Sequence, residues 1–457
     1  MKATPLPRTT RPSRRSFRRR LATFGLGLAL TCVASSAAAI EKRRLPDYDG
    51  RGGEPTRPGD AALWVPRVAL FPFYIVSEYV IRRPLGALVS GAERAGVPQT
   101  VYEFFMLTDD HAVGWVPTFF VDFGFKPSAG AYFFWNDAFV ERNRFTLHAA
   151  TWGTNWLMAS VADSYAVDER RSVTFRGLAL SRPDFRYYSP GPESREEQMG
   201  RFGALRLESE LAFRQRFGSL SSLEVAAGVR HLRFRNPSDD YVSVRERVRE
   251  GWFELPEAYE DGYTAGFQRA HLSLDSRRAR PSSQTGARIE LDGEQGNAPG
   301  ATPRSWMRYG AIAGGFLDLN DRARVLSLSL ATTFSDPMTS AGVPFTELVQ
   351  LGGAELMPGF VPGRLRGRSA LVSTLGYHWP VWVWLDGTIQ FSVGNVYGPH
   401  LDGLKASALR MAGAIGVQTS VTSENPVEIL LGFGTETFDQ GARLNTLRLA
   451  IGTTRGF

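Results

Sequence analysis

The sequence predicts an all-β fold: a transmembrane antiparallel β-barrel of sixteen strands that follows a short helical N-terminal periplasmic segment. Three observations lead to this prediction. Apolar and polar residues alternate with a period of two from about residue 114 onward. Long and short connections alternate along the chain, and the last strand ends on an aromatic residue, Phe457. Successive side chains of a strand point to opposite faces, so each strand has one apolar and one polar face.

Residues 1–39 have the composition of a secretory signal peptide. Arg11–Arg20 is strongly basic, Leu21–Val33 is apolar, and Ala37–Ala39 supplies small residues for cleavage. The only cysteine, Cys32, lies in this segment, so we expect no disulfide and no thiolate metal site in the mature chain. The remaining residues include 45 basic and 46 acidic side chains, so the charge balance gives no support for nucleic-acid binding.

Residues 40–113 are predicted to form a periplasmic linker and an amphipathic helical segment. Asp47–Asp60 is rich in glycine, proline and charged residues, as linkers are. Trp64–Gly96 has the pattern of a helix, but prolines and charges interrupt its apolar run. Such a helix suits the surface of a membrane better than its interior.

The barrel is predicted to occupy residues 114–457. In Leu205–Arg216 the odd positions are mostly apolar and the even positions are mostly charged. Segments of about ten residues or more are what tilted membrane strands require, although a soluble β-sandwich would also have two-faced strands. The sixteen predicted strands are 115–124, 129–138, 143–153, 156–166, 170–180, 201–217, 220–236, 262–276, 284–294, 304–319, 323–336, 369–381, 384–397, 406–421, 426–438 and 444–457.

The lengths of the predicted connections favour a membrane barrel over a sandwich. They are long after strands five, seven, nine and eleven and short after strands six, ten, twelve and fourteen. Bacterial outer-membrane barrels have long external loops and short periplasmic turns. We therefore expect the bacterial outer membrane as the location, with both mature termini in the periplasm. Leu449, Ile451 and Phe457 are expected to be the C-terminal signal that the barrel-assembly machinery reads.

The most specific part of the sequence runs from Leu351-Gly352-Gly353 through Met357-Pro358-Gly359-Phe360 and residues 363–369 to Gly394-Asn395-Val396. It resembles the bacterial surface antigen domain, which is the barrel of the BamA/TamA-type outer-membrane assembly and translocation superfamily. The resemblance covers about residues 345–457. It implies sixteen strands and a sixth external loop, after strand eleven, that folds into the lumen. The residues expected in this loop are Gly352, Gly353, Pro358, Gly359, Phe360, Arg364, Arg366, Gly367 and Arg368.

Two departures from the family pattern stand out. The family's loop tip is Arg-Gly-Phe or Arg-Gly-Tyr and pairs with an acid on strand thirteen, whereas Pro358 and Ser392 occupy these positions here. Losing both charges together avoids leaving one buried charge unpaired. Family members also carry periplasmic domains before the barrel, and residues 40–113 barely suffice for one, so we expect a stand-alone barrel.

The loop arginines have two possible roles. They could anchor the loop to acids inside the lumen, or they could be solvated external charges that bind lipopolysaccharide phosphates. The lumenal partners expected for Arg364, Arg366 and Arg368 are Glu208, Glu210, Asp386 and Ser392.

No catalytic site, metal site or cofactor is predicted. The six histidines lack metal-ligand spacing, Thr108–His111 suits a polar turn, and His148 with Thr146 and Ser160 has no nucleophile motif. Three function classes remain: assembly or translocation of protein or lipid through a seam between the first and last strands, a passive pore, and a structural or surface-antigen barrel. Pro117 and Gly452 weaken strand pairing at the seam, which favours the first class. The expected partners are outer-membrane lipids, lipopolysaccharide and the barrel-assembly machinery, with an unknown client and no nucleic acid.

Overall fold

The computed structural model describes Val68, Phe71 and residues 103–122, 124–238, 241–277, 284–321, 323–353, 356–382, 385–419 and 427–453. The predicted signal peptide, nearly all of the predicted helix Trp64–Gly96, and Phe457 lie outside the described residues. No helix of the described segments is long and apolar enough to cross a membrane.

Sixteen antiparallel strands form a closed barrel, in which each strand pairs with its sequence neighbours and the first pairs with the last. The predicted fold class and strand number are confirmed. The barrel strands are β1 (Val113–Asp122), β2 (Ser128–Asn136), β3 (Asn143–Thr151), β4 (Leu157–Ala166), β5 (Arg171–Tyr187), β6 (Gly200–Arg216), β7 (Ser222–Arg235), β8 (Tyr263–Asp275), β9 (Gly286–Ala298), β10 (Arg304–Asp318), β11 (Val325–Pro337), β14 (Ser369–Trp382), β15 (Leu385–Tyr397), β16 (Arg410–Thr419), β17 (Val427–Thr435) and β18 (Leu444–Thr453).

Smaller elements lie in the connections. A two-stranded ribbon, β12 (Val349–Leu351) and β13 (Leu365–Gly367), forms within the long connection between β11 and β14. Helix α1 (Val244–Arg249) lies between β7 and β8. Single 3-10 turns cover Glu196–Gln198, Pro399–Leu401 and Ala406–Ala408.

The clearest difference from the predicted strands is in β5, which was expected to end at residue 180 and extends to Tyr187. Pro183 has no N–H to donate to a ladder, so it would normally end a strand or mark a bulge. The ladder with β6 shifts register between Arg182 and Phe185. This bulge carries the strand past Pro183, and the extension reaches beyond its neighbour β4, whose pairing with β5 ends at Leu157 and Ser181.

The connections differ between the two ends of the barrel. One end, called here the loop end, carries residues 188–199, 236–262, 338–368, 398–409 and 436–443. The other, called the turn end, carries short connections such as 167–170 and 217–221, and also the start of β1 and the end of β18. The four longest connections, 188–199, 236–262, 338–368 and 398–409, all lie at the loop end, as predicted for those after strands five, seven and eleven. The connection after β9, which was also predicted to be long, has only five residues, 299–303.

The outer surface of the barrel is apolar. On β6, Leu207 and Leu211 are 42% and 58% exposed, whereas Glu208 and Glu210, at the alternate positions, face the lumen. On β11, Leu328 is 59% exposed. A soluble protein buries such leucines, so an outer surface of this kind requires an apolar solvent such as the membrane interior.

The lumenal wall has two unlike halves. Inward positions of β5–β10 carry ion-paired arginines and glutamates, including Arg176 with Glu210 and Arg230 with Glu294. Inward positions of β14–β18 carry mainly small residues, which leave room for chain inside the barrel. These small residues are Ala370, Ala412, Ala414, Gly416, Gly432, Gly434 and Ala450.

The assignment of faces can be tested on neighbouring residues of β11. Leu328→Arg places a charge on the outer surface and should impair barrel assembly, since a lipid-facing arginine costs about 2–4 kcal/mol at the membrane midplane. Ser329→Arg adds the same side chain one position along, where Ser329 lines a lumenal cavity, and should assemble far better. Heat-modifiable migration on gels measures the folded fraction. Equal yields for both variants would contradict the assigned faces.

Candidate functional site

In the connection 338–368, called here the plug loop, the described residues 338–353 and 356–368 fold against the inner wall of the barrel. Leu351, Met357, Phe360 and Leu365 have exposed fractions of 1% or less. They pack on inward apolar side chains of β14, β15 and β16, namely Ala370, Val372, Val396 and Ala412. The plug loop therefore has its own apolar core, which it shares with the wall.

The tip of the plug loop, Pro358-Gly359-Phe360, lies on two inward glycines of β17. A methyl group on Gly432 would come within 2.7 Å of the Pro358 carbonyl oxygen, and one on Gly434 within 2.7 Å of the Phe360 ring. A methyl group on Gly359 would overlap the Phe433 carbonyl. Glycine is needed on both sides because two backbones meet without side chains between them.

One arginine links the tip to the seam between β1 and β18. Arg448 on β18 donates from Nε and Nη2 to the two carboxylate oxygens of Asp122 on β1, at 2.9 and 3.0 Å. Its Nη1 donates to the Pro358 carbonyl at 3.3 Å, and Thr446 Oγ1 donates to the Gly359 carbonyl at 3.1 Å. Arg448 and Asp122 are 2% and 3% exposed. The buried bidentate ion pair therefore joins the first strand to the last strand, and the remaining donor of Arg448 joins them to the tip of the plug loop.

In the described residues, few backbone pairs join β1 to β18 across the seam. Within the described residues, β1 and β18 share three register pairs, Phe120 with Gly452, Val121 with Ile451 and Asp122 with Ala450. The ladder between β17 and β18 has nine. Toward the loop end, residues 444–448 have strand partners among the described residues only on β17, and Leu447 is 67% exposed. The side-chain contacts of Arg448 therefore hold β1 and β18 together at the end of the seam where the described backbone pairing between these strands stops.

Residues 188–199, called here the crossing loop, pass from β5 over the lumen to β15 and β16 on the opposite wall. Arg410 of β16, fully buried, donates to the carbonyls of Pro192 and Ser194 and to Glu436. Arg364 of the plug loop donates to Ser194 Oγ at 2.8 Å and pairs with Glu196 at 3.1 Å. The two arginines bind the crossing loop between plug and wall.

The crossing loop also has an aromatic contact with the plug. The Arg364 guanidinium lies 4.5 Å from the centre of the Tyr188 ring. Burial raises the pKa of Tyr188 to about 12, so its hydroxyl stays protonated and donates to Glu196 at 3.2 Å. Glu196 therefore accepts a hydrogen bond within the crossing loop and forms an ion pair with the plug loop.

The first half of the plug loop is anchored to the charged half of the wall. Arg230 donates to Glu347 of the loop at 3.0 Å, to Glu208 at 2.7 Å and to Glu294 at 3.1 Å. Glu347 also accepts from the Tyr263 hydroxyl. Together with the crossing loop and the 236–262 loop, whose Tyr259 packs near Phe345, this anchored segment covers the lumen at the loop end.

The other plug-loop arginines have neutral or external partners. Arg366 donates to the Phe345 carbonyl at 2.6 Å and lies over the rings of Tyr187 and Phe345. Burial lowers the pKa of Arg366 to about 10, so it stays charged at neutral pH. Arg368 pairs with Asp336 on the outer face at 2.9 Å. The neighbouring Gly367 has no room for a side chain beside Tyr397, and Gly352 and Gly353 have φ of 110° and 99°.

The lumenal partners expected for these arginines require correction. Glu208 and Glu210 are paired with arginines of β5, β6, β7 and β8, namely Arg176, Arg206, Arg230 and Arg269, and are not available to the plug. Asp386 is too far: the Arg368 N–H donates to the Tyr397 carbonyl, and Asp386 lies eleven residues along β15, roughly 36 Å at 3.3 Å per residue.

Ser392, where the family has an acid, is fully buried on the inward face of β15. Its hydroxyl lies 2.9 Å from the Thr374 hydroxyl of β14. Leu449 and Ile451 lie on the outward face of β18, opposite Leu431 and Ile429, and the third residue of the expected assembly signal is not among the described residues.

A cavity of about 410 Å³ remains in the lumen below the plug. Leu356 of the plug loop contributes to its lining, and the wall contributes both charged groups, Arg288 and Glu290, and apolar groups, Ile312 and Phe316. The plug therefore occupies part of the lumen and leaves a space whose walls carry both charged and apolar side chains.

Four residues that hold the plug and the crossing loop, Asp122, Glu347, Arg410 and Arg448, were not predicted from the sequence. The sequence does contain a signal for Asp122 and Arg448, because they are residues of opposite charge at inward positions of the two strands that close the barrel. Arg410 is the one charge at an inward position among the described residues of β16. Glu347 gave no signal, because nothing in its surroundings in the sequence indicates that it meets Arg230, 117 residues away.

The polar groups weighed for chemistry have structural surroundings. His148 faces the lumen, is 6% exposed, and lies within 2.8 Å of the Thr118 hydroxyl. Thr108–His111 forms a turn in which Asp110 accepts from the Ala112 N–H. In the described segments no group of three His, Cys, Asp or Glu side chains could hold a metal ion.

The fit of the tip can be tested with one methyl group. Gly359→Ala should displace the tip from β17, because the new Cβ would overlap the backbone of Phe433. We expect the barrel to fold and the plug loop to become open to added protease. Gly293→Ala is the matched control, since a methyl group there meets nothing within 4 Å. Equal protection of the loop in both variants would contradict the described packing.

No protein-family model and no curated protein sequence matches the chain. Among solved structures it is similar to BamA from Haemophilus ducreyi lacking POTRA domains 1–3, with a TM-score of 0.51, 13% identity, and coverage of 74% of this chain and 70% of that chain. CdiB from Acinetobacter baumannii gives a TM-score of 0.46 at 11% identity, covering 74% and 59%. CdiB from Escherichia coli gives 0.44 at 10%, covering 74% and 62%. The chain thus has the sixteen-stranded fold of an outer-membrane BamA barrel.

Proposed function

We propose that this chain is an integral outer-membrane protein of the BamA/TamA-type superfamily that assembles or translocates polypeptide or lipid through the seam between β1 and β18. It would work without catalytic residues, metal or cofactor. In this proposal the loop end faces the cell exterior and both mature termini lie in the periplasm. The barrel-assembly machinery would insert it, and outer-membrane lipids and lipopolysaccharide would surround it.

The observation that carries the proposal is the position of Arg448. It binds Asp122 across the seam and the Pro358 carbonyl at the plug tip. Because one side chain makes both contacts, movement of the tip changes the interactions that hold the seam. Such coupling is useful in a barrel that opens sideways and has no evident purpose in a rigid pore.

The passive-pore alternative is less well supported by the loop end. The plug loop, the crossing loop and the described residues of the 236–262 connection cover the lumen there. Buried charges such as Arg364 and Arg410 hold the crossing loop to the plug and the wall. A diffusion pore gains nothing from so many buried contacts in its channel. A structural or surface-antigen barrel is compatible with a covered lumen and is distinguished by the experiment below.

The test locks the seam with a disulfide. Cysteines replacing Val121 and Ile451, which lie opposite each other, are close enough to join β1 to β18. Cysteines replacing Ile429 and Ile451 join β17 to β18 instead and form the matched control. Each pair is introduced on the chromosome, and the protein and lipid composition of the outer membrane is compared with that of a strain lacking the gene.

We expect the seam lock to reproduce the composition of the deletion strain and a reductant to restore the normal one. The control lock should behave like wild type. If the seam lock also behaves like wild type while its disulfide is formed, the seam does not open in the cell, and the structural-barrel alternative gains.

A further inference from the structure

Four arginines, called here the outer arginine patch, occupy the outward face of β5, β6 and β7 at the loop end. Arg186 lies directly opposite Arg201 in the β5–β6 ladder. Arg235 lies opposite Gly203, and Arg233 opposite Leu205, in the β6–β7 ladder. Arg233 and Arg235 are exposed, Arg186 is half-buried and Arg201 is 7% exposed. Like charges directly opposite each other in a sheet are destabilising unless something compensates them.

The chain itself does not neutralise this patch. In the described part of the molecule none of the four arginines forms an ion pair. Neutral groups hold them instead: Arg186 and Arg201 both donate to the Gly124 carbonyl, at 2.6 and 3.1 Å, and Arg235 donates to Ser181 Oγ at 3.0 Å.

The buried acid beside the patch is already engaged. Asp184 pairs with Arg182 at 2.7 Å and accepts from the Lys126 N–H at 2.6 Å. The lumenal arginines are different, since Arg176, Arg214 and Arg269 all bind glutamates. The patch is therefore a surplus of positive charge on the outside of the barrel.

The patch lies at the edge of the apolar outer surface. On β7 the outward positions run from Val225 and Val229, which are 42% and 51% exposed, to Arg233 and Arg235. Four residues of strand separate Val229 from Arg233, which is roughly 13 Å. A group at this height leaves the hydrocarbon core and reaches the headgroup layer of a membrane.

We propose that the outer arginine patch binds the phosphate groups of a phosphorylated lipid headgroup in the leaflet at the loop end. Guanidinium groups match phosphate oxygens in bidentate geometry. The two exposed arginines, Arg233 and Arg235, lie two positions apart on one face of β7, roughly 7 Å at 3.3 Å per residue, which suits a headgroup with more than one phosphate. The acyl chains of the same lipid would lie along Leu205, Val229 and the apolar positions below them. This inference rests on the membrane location in the proposed function but not on the opening of the seam.

The test uses the full mature protein in a non-ionic detergent and native mass spectrometry. Diphosphoryl lipid A is the probe, and its dephosphorylated form and inorganic phosphate are the comparisons. The variant Arg233→Gln/Arg235→Gln removes the two exposed charges. Arg245→Gln/Arg249→Gln, on exposed positions of α1, removes the same charge from the same end of the barrel and is the matched control. Heat-modifiable migration shows that each variant is folded.

We expect the patch variant to bind diphosphoryl lipid A about tenfold more weakly or worse, since charge-assisted hydrogen bonds are lost. The control should bind as wild type does, and wild type should bind the dephosphorylated lipid and inorganic phosphate weakly. Equal binding of the phosphorylated and dephosphorylated lipids would overturn the proposal, and so would equal losses in the patch and control variants. Tight binding of inorganic phosphate alone would show an ion site instead of a lipid site.

Fractionation of cells keeps this result separate from the proposed function. A protein found in the outer membrane that shows no preference for the phosphorylated lipid refutes the patch proposal alone. A protein found elsewhere refutes the membrane location, whatever its affinity for lipid A in detergent.

Discussion

Arg448→Ala should lower the stability of the barrel by about 3–5 kcal/mol, the usual cost of removing one partner from a buried ion pair. The variant leaves Asp122 buried without its arginine and close to Glu428, which lies opposite Gly452 on the inward face of β17. Two buried carboxylates without a cation repel each other. The seam should therefore open or unfold at a lower temperature, measured as the temperature at which the heat-modifiable gel band shifts.

Related variants sharpen this prediction. Asp122→Ala should lower the stability of the barrel less than Arg448→Ala does, because Glu428 remains near Arg448 as a group of opposite charge. The double variant should cost less than the sum of the two single variants, because neither member of the pair is left alone. Arg171→Ala, which breaks an exposed pair with Asp168 at the turn end, is the control and should change little. If Arg448→Ala resembles this control, the ion pair does not hold the seam.

Removing the plug tip should open the lumen to ions. Deletion of residues 353–363 combined with Arg364→Gly leaves two consecutive glycines between β12 and β13, and a two-glycine connection suits a tight hairpin turn. The variant loses Met357 and Phe360 from the apolar core of the plug and loses the hold of Arg364 on the crossing loop. We expect single-channel conductance in zwitterionic planar bilayers to rise several-fold over the intact protein.

A graded result would support this explanation. Arg364→Ala/Arg410→Ala, which frees the crossing loop from both sides, should raise conductance less than the deletion does. Arg233→Gln/Arg235→Gln removes two charges from the outer face at the same end and should leave conductance unchanged. If the intact protein already conducts like an open porin, or the deletion has no effect, the loops do not close the lumen and the passive-pore alternative gains.

The sequence by itself determined the barrel. The period of two indicates which residues face lipid, because successive side chains of a strand point to opposite faces. The long connections after strands five, seven and eleven favour a membrane barrel over a sandwich, because outer-membrane barrels have their long loops at one end. The strand number and most strand bounds could therefore be predicted. The extension of β5 to Tyr187 could not, because a proline is compatible with either the end of a strand or a bulge.

Only the tertiary structure decided the partners inside the lumen. The sequence indicated a loop rich in Gly, Pro and Arg after strand eleven, but the ion pairs and hydrogen bonds there join residues far apart in the chain. Arg448 meets Asp122 across 326 positions and Arg364 meets Ser194 across 170. In any plausible strand register, a lumenal arginine could reach several glutamates. The pattern of charges in the sequence therefore does not show which glutamate it binds. Closure of the barrel brings β1 next to β18, and the glycines of β17 leave room for the plug tip. These two contacts determine which charged residues meet.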